Sequence, residues 1–183
     1  MSKQLPVHAQ VVIIGGGIVG CSVAYHLTKL GWSDILILER KELGSGTTWA
    51  AAGLLAQLRQ NQEMTNLAKY TVDLYEGLEA ETGVATGFRK NGALAVCQTD
   101  DRRKELLRAA AMARAFNVEM HEVSLKEAAN IVPGINTKDL VTAFHLPYDG
   151  VTNPIETTQA LAKGAKMGGA SILENAKVTD ITI

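Results

Sequence analysis

The apolar positions of the first 40 residues change from a continuous run to a helical spacing and back to a run. Val11–Ile14 is a run of β-branched residues, which is typical of a parallel strand covered on both faces. In residues 18–30 the apolar side chains recur every three or four positions, and Gly31 follows as a stop signal. Ile35–Leu38 is a second apolar run. The pattern predicts a strand, a helix and a strand, the unit of a doubly wound sheet.

The middle of the chain alternates helical and extended patterns. Thr47 or Thr48 is placed to cap a helix that runs through WAAAGLLAQLR. Ser124 and Glu127 have the spacing of a capping box. The periodicity predicts helices at about 64–82, 100–116 and 125–132, and extended segments in GFRK, ALAVC, VEMHEV and LVTAFHL.

The last part of the chain returns to the first pattern. Asn153 and Pro154 form a cap and a first-turn proline for a helix to about residue 167. GGASIL then predicts a strand, and KVTDITI an extended segment. We therefore expect an α/β fold, a Rossmann-like nucleotide-binding domain (1–61 and 148–183) interrupted by a mixed α+β insertion (62–147) that forms a substrate or lid part.

Charge and cysteine content exclude several classes of function. The 18 Lys and Arg residues against 19 Asp and Glu give a net charge of -1, so we expect no nucleic-acid partner and no membrane. No stretch approaches the roughly 18 apolar residues of a membrane span, and a cytoplasmic location is expected, or the mitochondrial matrix if a leader has been removed. Cys21 and Cys97 lack metal or redox spacing, and we expect both to be reduced packing residues and no metal site.

A glycine motif carries the chemistry. Gly15-x-Gly17-x-x-Gly20 lies between the first strand and the first helix, and Glu39 ends the next strand. The three glycines allow a tight turn, a close approach to a pyrophosphate and close packing of helix on strand. The helix N-terminus attracts the phosphates. Glu39 is placed to accept hydrogen bonds from ribose hydroxyls and disfavours a 2′-phosphate, which argues against NADP. The motif predicts a dinucleotide site and leaves NAD and FAD open.

Further stretches resemble one family. GGGIVGCSVAYHLTKLGW, LILER, GSGTTWAAAGL, PYDGVTNP and ALAKGAKMGGA together resemble the D-amino-acid oxidase-like superfamily of FAD enzymes, and within it the dimethylglycine and sarcosine dehydrogenase branch. The resemblance covers essentially the whole chain and is most specific in the first 54 residues. It favours FAD over NAD.

The resemblance implies FAD contacts along the whole chain. They are Gly15, Gly17, Ile18, Val19 and Gly20 at the pyrophosphate, Glu39 and Arg40 at the ribose and adenine, Thr47, Thr48 and Leu54 along the flavin, and Val178 with its backbone towards the adenine. Covalent members of the branch carry a histidine, bonded to the flavin 8α-methyl, at the position of Ala50. Because alanine cannot form this bond, we expect noncovalent FAD.

The resemblance also implies a reaction, the oxidation of a secondary or tertiary amine such as dimethylglycine or sarcosine by hydride transfer to flavin N5. A small-molecule amine is the expected substrate, with a folate or an electron-acceptor protein as possible further partners. The sequence of this chain points to no residue as a catalytic base. Arg59, Arg89 and Lys90 are candidates for a substrate carboxylate or simply solvated charges.

Family members are longer than 183 residues. We therefore expect an N-terminal portion of a longer enzyme, binding FAD weakly and inactive by itself. The alternative is a noncatalytic interaction protein that resembles the regulatory subunit of pyruvate dehydrogenase phosphatase.

Overall fold

The computed structural model describes residues 6–182 and divides into two compact units. Unit 1 contains residues 6–53, 75–88 and 152–182, and unit 2 contains residues 54–74 and 89–151. The domain limits expected from the sequence stay a prediction.

Unit 1 is built on a parallel three-stranded sheet. Its strands are ordered β1-β2-β8, with Val11 opposite Ile35 and Leu36 opposite Ser171. The strands and the two helices packed against each other beside them are β1 (Val11–Ile14), α1 (Ile18–Lys29), β2 (Ile35–Leu38), α5 (Pro154–Met167) and β8 (Ser171–Leu173). The predicted strand-helix-strand unit and its Rossmann-like α/β class are confirmed.

The α1–α5 contact depends on small residues. Cys21 and Ala24 on α1 are fully buried. On α5, a Cβ at Gly164 would lie 2.6 Å from the ring of Tyr25, closer than side chains pack. The Asn153 side chain accepts hydrogen bonds from the backbone N–H groups of Ile155 and Glu156, and thereby caps α5 as predicted.

Unit 2 contains two antiparallel sheets. One has the order β4-β6-β5 and the other pairs β3 with β7. The remaining strands and helices, of which α2 continues into unit 1, are β3 (Leu54–Leu55), α2 (Gln62–Thr82), β4 (Ala93–Cys97), α3 (Asp100–Ala115), β5 (His121–Val123), α4 (Leu125–Ile131), β6 (Thr142–Leu146) and β7 (Gly150–Val151). The capping box of Ser124 and Glu127 is present at α4, as predicted.

The helix predicted through WAAAGLLAQLR is wrong. A short 3₁₀ helix, Thr47–Ala50, is followed by an irregular stretch and then by β3. Gly53 has a φ of 73°, which lies outside the range of a right-handed helix. Its carbonyl accepts a hydrogen bond from the N–H of Thr152 at 2.9 Å. A Cβ at Gly53 would overlap the Thr152 carbonyl oxygen. This close approach of two backbone segments that lie far apart in sequence overrides the local helical propensity.

One smaller expectation is also wrong. β1 is not covered on both faces, since Val12 and Ile14 are 51% and 57% exposed; among the described residues β1 pairs only with β2, at the edge of the sheet. The segment KVTDITI forms no hydrogen-bonded strand in its described part, and its extended conformation stays a prediction. Within residues 6–182, no helix combines the length and the apolar character that crossing a bilayer requires.

Candidate functional site

The turn between β1 and α1 is held by backbone contacts. Gly15 has a φ of 109°, which favours glycine, and its N–H donates to the Leu38 carbonyl at 2.9 Å. A Cβ at Gly20 would overlap the Gly15 carbonyl oxygen, so the first turn of α1 can lie this close to the strand only with glycine there. Gly17 is the N-cap residue of α1. The turn therefore brings the first turn of α1 close to the end of β1.

Glu39 closes the turn from the end of β2. Its Oε2 accepts the N–H of Gly16 at 2.7 Å, and its Oε1 accepts the N–H of Lys41 at 2.8 Å. These two bonds orient the carboxylate. Because a carboxylate has about four acceptor positions, each oxygen can still accept a hydroxyl.

Thr48 supports the start of α1 from the 3₁₀ helix. Its Oγ1 accepts the N–H of Ile18 at 3.1 Å, and the residue is only 7% exposed. The first N–H groups of a helix have no partner inside the helix, and Thr48 satisfies one of them. Thr47, Trp49 and Ala50, its neighbours in the 3₁₀ helix, are exposed.

A recess of about 320 Å³ opens beside the turn. Its lining combines apolar walls, one carboxylate and two cations: Ile14, Gly15, Leu38, Glu39, Arg40, Lys177 and Val178. The wall around Val178 is held to the end of β2, because Ala176 N–H donates to the Glu39 carbonyl at 2.8 Å and Asn175 N–H to the Lys41 carbonyl at 3.1 Å. A site with an oriented carboxylate between apolar walls fits a nucleoside, whose ribose donates hydroxyls and whose flat base can pack its faces against apolar side chains.

The structure brings most of the implied cofactor residues together and separates others. Gly15, Glu39, Arg40 and Val178 line one recess. A second group, Gly17, Ile18 and Thr48, meets at the start of α1, where Gly20 also lies. Val19 on α1 is 74% exposed, and Thr47 in the 3₁₀ helix is exposed as well. Leu54 belongs to β3 in unit 2 and is 71% exposed.

Sequence reasoning missed two residues at this site. Gly16 supplies the N–H that orients Glu39, and Lys177 lines the recess beside Val178. The adjacent glycines and the position next to Val178 were visible in the sequence. Gly16 and Glu39, however, lie 23 positions apart in sequence, and the segment that contains Lys177 lies still farther from Glu39. No local pattern reveals either contact.

The two cysteines lie in packed surroundings. Cys21 donates its S–H towards the Gly16 carbonyl at 3.6 Å, and burial raises the pKa of its thiol to about 12. Cys97 donates towards the Thr142 carbonyl at 3.6 Å, and both thiols are free and buried. Both therefore act as packing residues, as predicted. Within residues 6–182 no cluster of three or more His, Cys, Asp or Glu side chains is arranged to hold a metal ion.

Comparison with curated proteins gives relatives along the whole chain. The chain is 41% identical over 183 residues to mitochondrial sarcosine dehydrogenase of Homo sapiens, and 39% identical over 182 residues to the mitochondrial pyruvate dehydrogenase phosphatase regulatory subunit of Mus musculus. It is 35% identical over 173 residues to mitochondrial dimethylglycine dehydrogenase of Homo sapiens. These matches cover 100%, 100% and 94% of the chain but only 20%, 21% and 20% of the relatives. The chain thus spans about a fifth of their length.

Comparison with solved structures supports the fold. The crystal structure of L-proline dehydrogenase from P. horikoshii matches with a TM-score of 0.91 and 31% sequence identity, over 98% of this chain and 47% of that one. The family model described as FAD dependent oxidoreductase, DAO, matches residues 10–183. The resemblance stated from the motifs is thereby confirmed: the chain belongs to the DAO family of FAD-dependent oxidoreductases.

Proposed function

We propose that this chain is the FAD-binding portion of an oxidoreductase that oxidises a secondary or tertiary amine. The observation that carries the proposal is the β1–α1 turn with its oriented Glu39 and the adjoining recess. The N-terminus of α1 would hold the pyrophosphate, and Glu39 the ribose. Val178 would lie against the adenine, while Thr48 would keep Ile18 and the first turn of α1 in place.

When bound, FAD supplies the two-electron oxidation of the amine. The contribution of these residues is binding and orientation. Gly15, Gly17 and Gly20 keep side chains away from the phosphates, and the carboxylate of Glu39 fixes the ribose through charge-assisted hydrogen bonds. Arg40 and Lys177 give the rim of the recess a positive charge beside this carboxylate. The first test is a titration of the protein with FAD, in which we expect saturable binding that is weakened in Glu39→Ala.

We propose further that the FAD is held without a covalent bond. The support is Ala50, an exposed residue in the 3₁₀ helix whose methyl group has no nucleophilic atom. Acid precipitation of the FAD-loaded protein tests this. The flavin should remain in the supernatant, and yellow flavin in the washed pellet would contradict the proposal.

An amine with one carboxylate is the proposed substrate class. The relatives named for sarcosine and dimethylglycine act on such compounds, which supports the class without fixing the member. Anaerobic mixing of the FAD-loaded complete polypeptide with either amine should bleach the visible flavin absorbance. An FAD-loaded protein that neither amine bleaches would contradict amine oxidation and leave the FAD site itself intact.

A second candidate function is a regulatory one. The 39% identity to the pyruvate dehydrogenase phosphatase regulatory subunit supports it. A protein of this kind would keep the fold and the FAD site and lack amine-dependent bleaching. The same anaerobic experiment therefore separates the two candidates, with phosphatase binding as the positive measurement for the second.

Location and further partners follow from the proposed class. The three relatives are named as mitochondrial proteins, which supports the matrix over the cytoplasm as a working proposal. A folate or an electron-acceptor protein is the proposed second partner of the oxidation. Fractionation of the cells that express the protein tests the location.

A further inference from the structure

Unit 2 contains a cavity that the FAD site does not use. It has a volume of about 420 Å³ and lies between the loop after β3, the start of α2 and the end of α3. Its walls are apolar apart from one cation and two amides: Leu58, Arg59, Gln60, Asn61, Met64 and Met112. No acidic side chain is part of this lining.

The loop that carries Arg59 is fixed at its backbone. Gln57 N–H donates to the buried Asp149 carboxylate at 2.9 Å, and Arg59 N–H donates to the Thr65 hydroxyl at 3.1 Å. The Thr65 hydroxyl in turn donates to the Asn61 carbonyl at 2.8 Å. Three polar contacts within a few residues hold the position of the Arg59 backbone, so its side chain starts from a defined point at the cavity.

The guanidinium itself is unused by the described part of the chain. Within residues 6–182 the Arg59 side chain has no hydrogen bond and no ion pair. The positive charge of Arg59 opposes the rise that burial causes in the pKa of the Asp149 carboxyl. The Asp149 oxygen Oδ1, however, accepts its hydrogen bond from the Gln57 N–H and not from Arg59. A planar cation with five donors beside an apolar wall is complementary to a carboxylate that carries an aliphatic group.

We propose that this cavity binds a small aliphatic carboxylate, with the carboxylate on Arg59 and the aliphatic part against Met64 and Met112. Methionine side chains suit such a part because they are flexible and polarisable. The ligand chemistry could come from an amino acid or from a simple short-chain acid. The proposal does not depend on FAD binding, so it can fail while the proposed function stands, and the reverse.

The two methionines provide the measurement. The 183-residue chain, labelled with ¹³C at its methionine methyl groups, is titrated by NMR with butanoate, with the neutral isostere butanamide and with sarcosine. We expect butanoate to shift the methyl signals of Met64 and Met112 saturably and butanamide to leave them unchanged. Met120 and Met167, which do not line the cavity, serve as controls inside the same molecule. If sarcosine binds at least as tightly as butanoate, the ligand is an amino acid. If sarcosine binds more weakly than butanoate, the ligand is a simple short-chain acid.

The variant Arg59→Met keeps much of the side-chain length and removes the charge. It should weaken butanoate binding by about tenfold or more, whereas Arg59→Lys should keep part of the affinity. Arg108→Met is the matched control, because Arg108 is an exposed arginine of α3 outside the cavity lining. Equal shifts with butanamide, no response to any carboxylate, or unchanged affinity in Arg59→Met would each overturn the proposal.

Discussion

The β1–α1 turn of unit 1 and the Arg59 cavity of unit 2 differ in the chemical groups that form them. The turn depends on backbone: glycine positions allow the strand and the helix to approach, and backbone N–H groups donate to the Leu38 carbonyl and to the side chains of Glu39 and Thr48. The cavity is made by side chains from a loop and two helices, and its one charged group is exposed.

The difference predicts how each region responds to substitution. A backbone-built site should fail when a single carbon atom is added at a point of close approach. A cavity lined by flexible side chains should keep its fold and lose only the affinity that the substituted group supplies.

Gly20→Ala should have the largest effect. The added Cβ overlaps the Gly15 carbonyl oxygen, so strand and helix must separate, at a cost of about 3 kcal/mol in the free energy of unfolding and with loss of FAD binding. Denaturant unfolding and FAD titration measure both. Gly77→Ala is the control: a Cβ there meets nothing within 4 Å in α2, and the variant should be more stable by about 0.5–1 kcal/mol. Equal behaviour of the two variants would contradict a backbone-built turn.

Thr48→Val should have an intermediate effect. The buried hydroxyl that accepts the N–H of Ile18 is lost while the side-chain shape is kept. We expect a loss of about 1–2 kcal/mol in the free energy of unfolding and weaker FAD binding. Thr48→Ser keeps the acceptor and should restore most of both. A serine variant as damaged as the valine one would show that packing, and not the hydrogen bond, matters here.

The Asp149 carboxyl should contribute less to the free energy of unfolding as the pH rises. Burial raises the pKa of its carboxyl above the ordinary value of 3.8. A raised pKa contributes stability that is fully present below 3.8 and is lost as the pH rises through the raised value. Asparagine stays neutral and can still accept the Gln57 N–H. The stability of the wild type minus that of Asp149→Asn should therefore fall as the pH rises through this window, and a difference that rises would contradict the assignment.

The Glu122 carboxyl in the same unit should behave in the opposite way and contribute less to the free energy of unfolding as the pH falls. Hydrogen bonds from the Thr142 hydroxyl at 2.8 Å and the Arg103 guanidinium at 3.1 Å lower the pKa of its carboxyl below 4.5. Its contribution is present above 4.5 and is lost as the pH falls through the lowered value. The stability difference between wild type and Glu122→Gln should shrink over that range in the same unfolding measurements. A difference independent of pH there would show that these bonds do not favour the charged form.

Lys177→Ala should have the smallest effect. Its side chain is an exposed cation at the rim of the recess, so we expect FAD affinity to fall by less than about fivefold. The loss should diminish at high salt, because exposed charges are screened. A loss as large as that of Gly20→Ala would mean that side chains, and not backbone, dominate this site too.

The same contrast explains what the sequence predicted well. The glycine spacing, the capping residues Asn153 and Ser124 and the apolar runs of β1 and β2 act over a few positions, and each element they predict is present. Local chemistry of this kind can be derived from one sequence.

The parts that failed depend on distant contacts. The segment after Ala50 has good helix formers, but Gly53 meets Thr152 and Leu54 pairs with Val151, so it becomes irregular and then extended. The pattern of β1 gave no sign that Val12 and Ile14 would lie at a sheet edge. The place of Lys177 in the lining of the recess depends on the two backbone hydrogen bonds that hold its segment to the end of β2.

The most direct test of the central claim is a titration of the 183-residue chain with FAD, with NADP⁺ as the competitor and Glu39→Ala as the matched variant. We predict saturable binding of one FAD per chain that NADP⁺ does not displace at equal concentration, and an affinity about tenfold or more lower in Glu39→Ala. Absence of saturable FAD binding, displacement by NADP⁺, or an unchanged affinity in the variant would contradict the assignment of the β1–α1 turn and Glu39 as an FAD site.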